Sequence, residues 1–119
     1  MFDIEKFRTY CLKKKGVTEE FPFDNETLVF KVMGKMFALT GLNHSPFTMN
    51  LKCDPERIEE MRASYPAVQP GWHMNKQHWN TVTVDGTISQ KELLEMIDHS
   101  YNEVVKGLSR KLREQLNEL

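Results

Sequence analysis

The chain has 119 residues, 39% hydrophobic and 28% charged, a size and composition that support one core and exclude general disorder. Its 16 Lys and Arg stand against 17 Asp and Glu, a formal net charge of -1. No global field therefore draws it onto nucleic acid or an anionic membrane, and any such contact needs a local basic patch.

Residues 3–14 read as a helix, with Asp3 as N-cap and Ile4, Phe7, Tyr10 and Cys11 at helical spacing on one face. Lys13, Lys14 and Lys15 suit the C-terminal end of the helix dipole, and Gly16 supplies the stop. From Val17 the period changes. Val17–Phe23 reads as a short edge strand because Pro22 cannot donate to a ladder, and Asp24-Asn25 is turn chemistry. Strands follow at Leu28–Met33 and Lys35–Thr40, hinged at Gly34, with Phe37 and Leu39 expected on one side. After the Asn43–Pro46 loop, Phe47, Met49, Leu51 and Cys53 alternate with Thr48, Asn50 and Lys52, the pattern of a half-buried strand.

Asp54-Pro55-Glu56 opens a second helix: a capping acid, a proline at the first helical position and an acid at the positive dipole end. Its buried stripe is Ile58, Met61 and Tyr65, while Glu56, Arg57, Glu59, Glu60 and Arg62 read as a solvated face. A loop over 66–70 then leads into two strands, 71–74 and 79–84, joined by Asn75-Lys76-Gln77-His78, and Asp85-Gly86 turns the chain out of the sheet. Ser89-Gln-Lys-Glu92 is a capping box for a helix carrying Leu93, Leu94, Ile97, Tyr101, Val104 and Val105. Gly107 and Ser109 divide it from a last helix through Leu112 and Leu116; one continuous helix is the alternative.

The predicted order is α-β-β-β-α-β-β-α-α, with a fourth strand in the first run if Val17–Phe23 is one. Short connections pair such strands antiparallel, and helices gathered on one face make a single two-layer α+β sandwich. Cys11 and Cys53 show no Cys-x-x-Cys pattern and fit reduced thiols. The acidic start at Asp3 and Glu5 is unlike a secretory leader, and no apolar run approaches the ~18 residues of a membrane span. A cytoplasmic, membrane-free protein is expected.

Val17-Thr-Glu-Glu-Phe-Pro-Phe23, Gly34-Lys-Met-Phe37, Asn75-Lys-Gln-His-Trp79 and Asp98-His-Ser-Tyr101 fall in the order and spacing of the YjbR/MmcQ family, which the chain resembles over nearly its whole length. The family often has a proline near the start of its last helix, where this chain has Ser109. The resemblance implies a two-layer α+β fold similar to type III secretion chaperones and the frataxin-like fold, and carries the label of a DNA-binding protein.

The 71–85 segment holds both tryptophans and two of the four histidines, so it is the expected working surface. Trp72 and Trp79 suit base stacking, although one of them is expected in the core; Lys35, Asn75 and Lys76 suit phosphates or base edges. His73, Gln77 and His78 complete that surface. Lys106, Arg110, Lys111 and Arg113 form a second basic cluster, diluted by Glu114 and Glu118. His73 and His78 are too few for a closed metal site, and no cofactor is implied. His99 and Ser100 are neighbours that point apart on a helix, and no Gly-x-Ser-x-Gly elbow or phosphate loop exists, so a non-enzymatic protein is expected. DNA is one candidate partner. The other reading is a module for a protein partner or a small ligand, monomeric or weakly dimeric, with the sheet's second face (Val29, Lys31, Met33, Met36, Thr48, Asn50 and Lys52) as a mixed surface. Tyr101 is expected to reach the Asn75–Trp79 turn.

Overall fold

The computed structural model describes residues 2–72 and 74–119. Helix α1 (Ile4–Leu12) begins where the Asp3 carboxylate accepts the Lys6 N–H at 2.8 Å, and it buries Phe7 and Cys11. Four strands follow, β1 (Val17–Glu20), β2 (Thr27–Val32), β3 (Lys35–Gly41) and β4 (Thr48–Lys52), so the first run contains four. Helix α2 (Pro55–Ser64) leads to β5 (Val68–Pro70) and β6 (Trp79–Thr83), then to α3 (Gln90–Lys106) and α4 (Arg110–Asn117). The chain does break between the last two helices. Gly107 caps α3, and the Ser109 hydroxyl accepts the Leu112 N–H at 3.2 Å to start α4.

All strand pairs are antiparallel, in the order β1-β2-β3-β4-β6-β5. Leu28, Phe30 and Val32 face the main core with Met49, Leu51 and Val82, under α1 and α3. Alternation sends Val29 to the other side of the sheet. There it joins Leu39, Trp79, Met36 and Met74 in a second, smaller apolar cluster.

Three strand expectations change. β1 stops at Glu20, leaving Phe21 and Phe23 exposed beyond the ladder. In β3, Lys31 faces Met36 while Phe30 faces Ala38, so Phe37 is the extra residue of a bulge. Phe37 and Ala38 thus both enter the main core and Leu39 passes to the opposite face, breaking the expected Phe37/Leu39 alternation. In place of the predicted 71–74 strand, the edge strand is Val68–Pro70, where buried Val68 pairs with Val82, and Gly71, Trp72 and Met74 lie outside any strand. Gly71, Trp72 and residues 74–78 form a loop. Among the described residues, no helix is long and apolar enough to cross a membrane.

Candidate functional site

Residues 74–79 make a folded turn held largely by their own polar groups and tied back to Gly71. The Asn75 carbonyl accepts the N–H groups of His78 (3.3 Å) and Trp79 (3.0 Å), and its side chain accepts the Gln77 N–H at 2.8 Å. The Lys76 ammonium, expected on a phosphate, donates to the Gly71 carbonyl at 2.9 Å. The His78 carbonyl accepts the Cys53 N–H at 2.8 Å. Gly71 is required by close approach: a Cβ there would lie 2.9 Å from the Trp79 Cβ and 3.0 Å from its carbonyl oxygen. Trp79 is only 9% exposed and packs with Val29 and Leu39, so its ring is core and closed to base stacking. Trp72, 38% exposed and 5.3 Å from the His44 ring, is the accessible indole. His73 lies outside the described residues.

A residue read as solvated clamps this turn. Arg62, on α2, donates to the Lys76 carbonyl at 2.5 Å, the Trp79 carbonyl at 3.2 Å and the Asn80 side chain at 2.8 Å. With Glu59 at 3.2 Å as a fourth acceptor, every nitrogen of the guanidinium fork is engaged, and the side chain is 14% exposed. Lys35, Gln77, Arg110, Lys111 and Arg113 are exposed, with Arg110 paired to Glu114. Lys35 starts β3 and the three basic residues of the tail sit on α4, so these cations come from separate elements.

The Asp98-His-Ser-Tyr101 run is a hub. Successive helical residues point about 100° apart, and each meets a different neighbour. Asp98 accepts from the Tyr10 hydroxyl (2.8 Å) and Lys14 (2.5 Å). Ser100, fully buried, donates to the Phe37 carbonyl and accepts the Lys52 N–H at 2.8 Å. Its hydroxyl sits where β3 and β4 separate, one step beyond the Ala38–Leu51 pair. Tyr101 does not approach the turn at 75–79: its hydroxyl donates to the Lys15 carbonyl at 2.7 Å and its ring stands edge-on to Phe37.

His99 completes the hub and opens a different site. Its Nε2 accepts the Asp54 N–H at 3.1 Å, at the start of α2, and its Nδ1 lies 3.4 Å from Arg57. Burial, and then the Arg57 charge, lower its pKa and favour the neutral ring. With Nε2 accepting, Nδ1 carries the proton, so the Arg57 contact is a close approach between donors. At the far end of α2 the Tyr65 hydroxyl donates to Glu92, which also takes the Ser89 hydroxyl at 2.9 Å. These bonds hold the Glu92 carboxyl below its ordinary range, the one from Tyr65 contributing most.

Between these two bridges α2 and α3 run antiparallel over the sheet and leave a cleft of about 240 Å³. Arg57, Met61 and Tyr65 line one wall at i, i+4 and i+8; Glu92, Glu95, Met96 and His99 line the other. Leu51, Lys52, Cys53, Val68, Asn80 and Val82 make the floor. Burial raises the Cys53 thiol pKa, and Cys11, also buried, is pushed up to about 12. The sequence expectation did not include this cleft; its signal was the one-turn spacing of Arg57, Met61 and Tyr65, which puts a cation on the stripe of two core residues. Among the described residues, no group of three His, Cys, Asp or Glu is placed to hold a metal ion.

The YjbR family model matches residues 12–103. The uncharacterised protein YjbR of Escherichia coli K12 is 30% identical over 116 residues, covering 98% of each chain. The uncharacterised protein YbdF of E. coli O157:H7 is 42% identical over 92 residues, 76% of this chain and 75% of its own. A crystal structure of a Deinococcus radiodurans protein superposes with TM-score 0.92 at 42% identity, covering 98% of this chain and 89% of that one. A Pseudomonas syringae protein superposes at 0.73 with 28% identity, covering 86% and 98%. The family model thus takes in the whole sheet, the Arg62-clamped turn and α3 as far as the hub, and the chain belongs to the YjbR family.

Proposed function

We propose that the protein is a non-enzymatic cytoplasmic binding protein, monomeric or weakly dimeric, whose ligand is a small molecule held between α2 and α3. The observation that carries this reading is the cleft: a concave site bridged at both ends, with a mostly apolar floor, methionines on both walls, and polar side chains of Arg57, Glu92, Glu95 and His99 set among them. Such geometry is the usual form of a ligand site, and at about 240 Å³ it lies below the ~300–1,000 Å³ typical of drug-sized pockets. The ligand is therefore small. A binding role is also favoured by how the reactive groups are held. His99 Nε2 is engaged by a backbone N–H, and the Cys53 thiol is buried with its pKa raised.

The test is a ligand-observed NMR screen of small fragments against the native protein and against Met61→Trp, which fills the cleft, with Met96→Phe as a second blocked variant. Fragments that bind the native protein and lose binding in both folded variants support the reading. No fragment binding, or binding indifferent to both substitutions, overturns it. A nucleic-acid reading draws on exposed Trp72 with Lys35, Gln77, Lys111 and Arg113. A salt-dependent shift with single-stranded or duplex oligonucleotides that is lost in Trp72→Ala would favour it instead.

A further inference from the structure

We infer that the cleft selects an amphoteric ligand, one carrying an amine and a carboxylate on either side of a short apolar body; this rests on the α2/α3 cleft being the binding site. Some charged side chains around it are already engaged. Glu92 takes the hydroxyls of Tyr65 and Ser89, and Arg62 is fixed on the 76–80 backbone and side chain. Three lining groups have no ion-pair partner among the described residues: Lys52, half-buried on β4, and, exposed at the rim, Arg57 and Glu95.

Arg57 and Glu95 stand at different ends. Arg57 lies beside His99, and Glu95 stands one helical turn earlier on α3, about 6 Å along its axis, on the Glu92 side. Met61 and Met96 occupy the space between them, and their flexible thioethers fit a slim aliphatic body. His99 adds no competing positive charge, since its neutral form is favoured there. A carboxylate at Arg57 gains a bidentate partner, and an ammonium at Glu95 gains a carboxylate next to that of Glu92.

Three probes test this by chemical-shift titration of the full chain: 6-aminohexanoate, hexanoate and hexylamine. Hydrogen bonds to charged groups predict that 6-aminohexanoate binds about tenfold tighter than either singly charged analogue. It should also shift amides at both ends of the cleft. Arg57→Gln should bring its affinity down to that of hexylamine, and Glu95→Gln down to that of hexanoate; both positions are exposed, so both variants should fold. Equal affinity for all three probes overturns the amphoteric assignment and leaves the cleft reading standing. So does a cleft that answers to uncharged fragments and to none of the three. If neither the probes nor the fragments shift cleft resonances, the cleft reading itself fails.

Discussion

The turn at 71–79 and the cleft between α2 and α3 are opposites in composition and use. The turn concentrates indoles, amides, a lysine and histidines, yet Asn75, Lys76 and Trp79 bond or pack within the fold. The cleft is lined by methionines, valines and an ordinary helix-surface arginine, and it is there that an unpaired cation and an unpaired anion face the same space. A polar group on a short loop is recruited first by backbone that must be satisfied. A group on a helix already has its own backbone satisfied, so its side chain is free either to brace a neighbour, as Arg62 and Ser100 do, or to face open space, as Arg57 and Glu95 do.

The sharpest test of that contrast lies inside the turn. Trp79→Ala removes a buried ring from the second cluster and should cost about 3–5 kcal/mol, read as a lowered urea midpoint, whereas Trp72→Ala should change stability by less than about 1 kcal/mol. Equal effects would mean that the two indoles do not divide into core and surface. Next in size, Arg62→Ala leaves the Lys76 carbonyl and the Asn80 amide oxygen without this donor, and the Trp79 carbonyl with only the Gly71 N–H. It should cost about 2–3 kcal/mol and make the 71–79 segment protease-sensitive. An unchanged melting temperature with an intact turn would remove the clamp from the account.

Elements with a local cause were legible in the sequence. The Asp3, Asp54, Ser89 and Ser109 caps each form as read, because a cap is decided within three residues. The Met49–Leu51 face was visible for the same reason. The bulge at Phe37 was not, since it is set by β2 and by the Ser100 hydroxyl entering beside it from 63 positions away. Val68–Pro70 was missed because three residues carry too little periodicity to compete with the richer segment beyond Gly71. The cleft was hidden because Arg57 and Glu95 look solvated singly, and only the pairing of two helices distant in sequence puts them in one space.

The cleft's basic end gives a pH test. His99 has a folded pKa below its ordinary 6.5, from burial first and Arg57 second, with Asp54, Glu103 and Lys106 as its other charged neighbours. A base whose folded pKa is lowered is stabilising when neutral: that contribution is present above the unfolded pKa and is lost as pH falls below about 6.5. Glu19, Asp24, Asp85 and Glu92, held below their ordinary 3.8–4.5, act only at more acid pH. Denaturant midpoints between pH 7 and pH 5 should therefore decline in the native protein and less so in His99→Gln, which offers an amide oxygen to the Asp54 N–H without titrating. Parallel profiles would show that the bridge at this end does not depend on the neutral ring.

The smallest expected effect separates the hub from the turn. Tyr101→Phe keeps the ring against Phe37, 5.4 Å between centroids, and removes only the bond to the Lys15 carbonyl, which lies near solvent. Water can replace that donor, so the loss should be about 0.5–1.5 kcal/mol, with amide shifts confined to the start of β1 and the middle of α3. Because Tyr101 faces α1 while Arg62 and Gly71 hold the turn from the other edge of the sheet, resonances of 74–79 should not move. If they do move, the turn is coupled to the hub through β3 and β4. The self-contained loop set against the open cleft would then have to be redrawn as one connected surface.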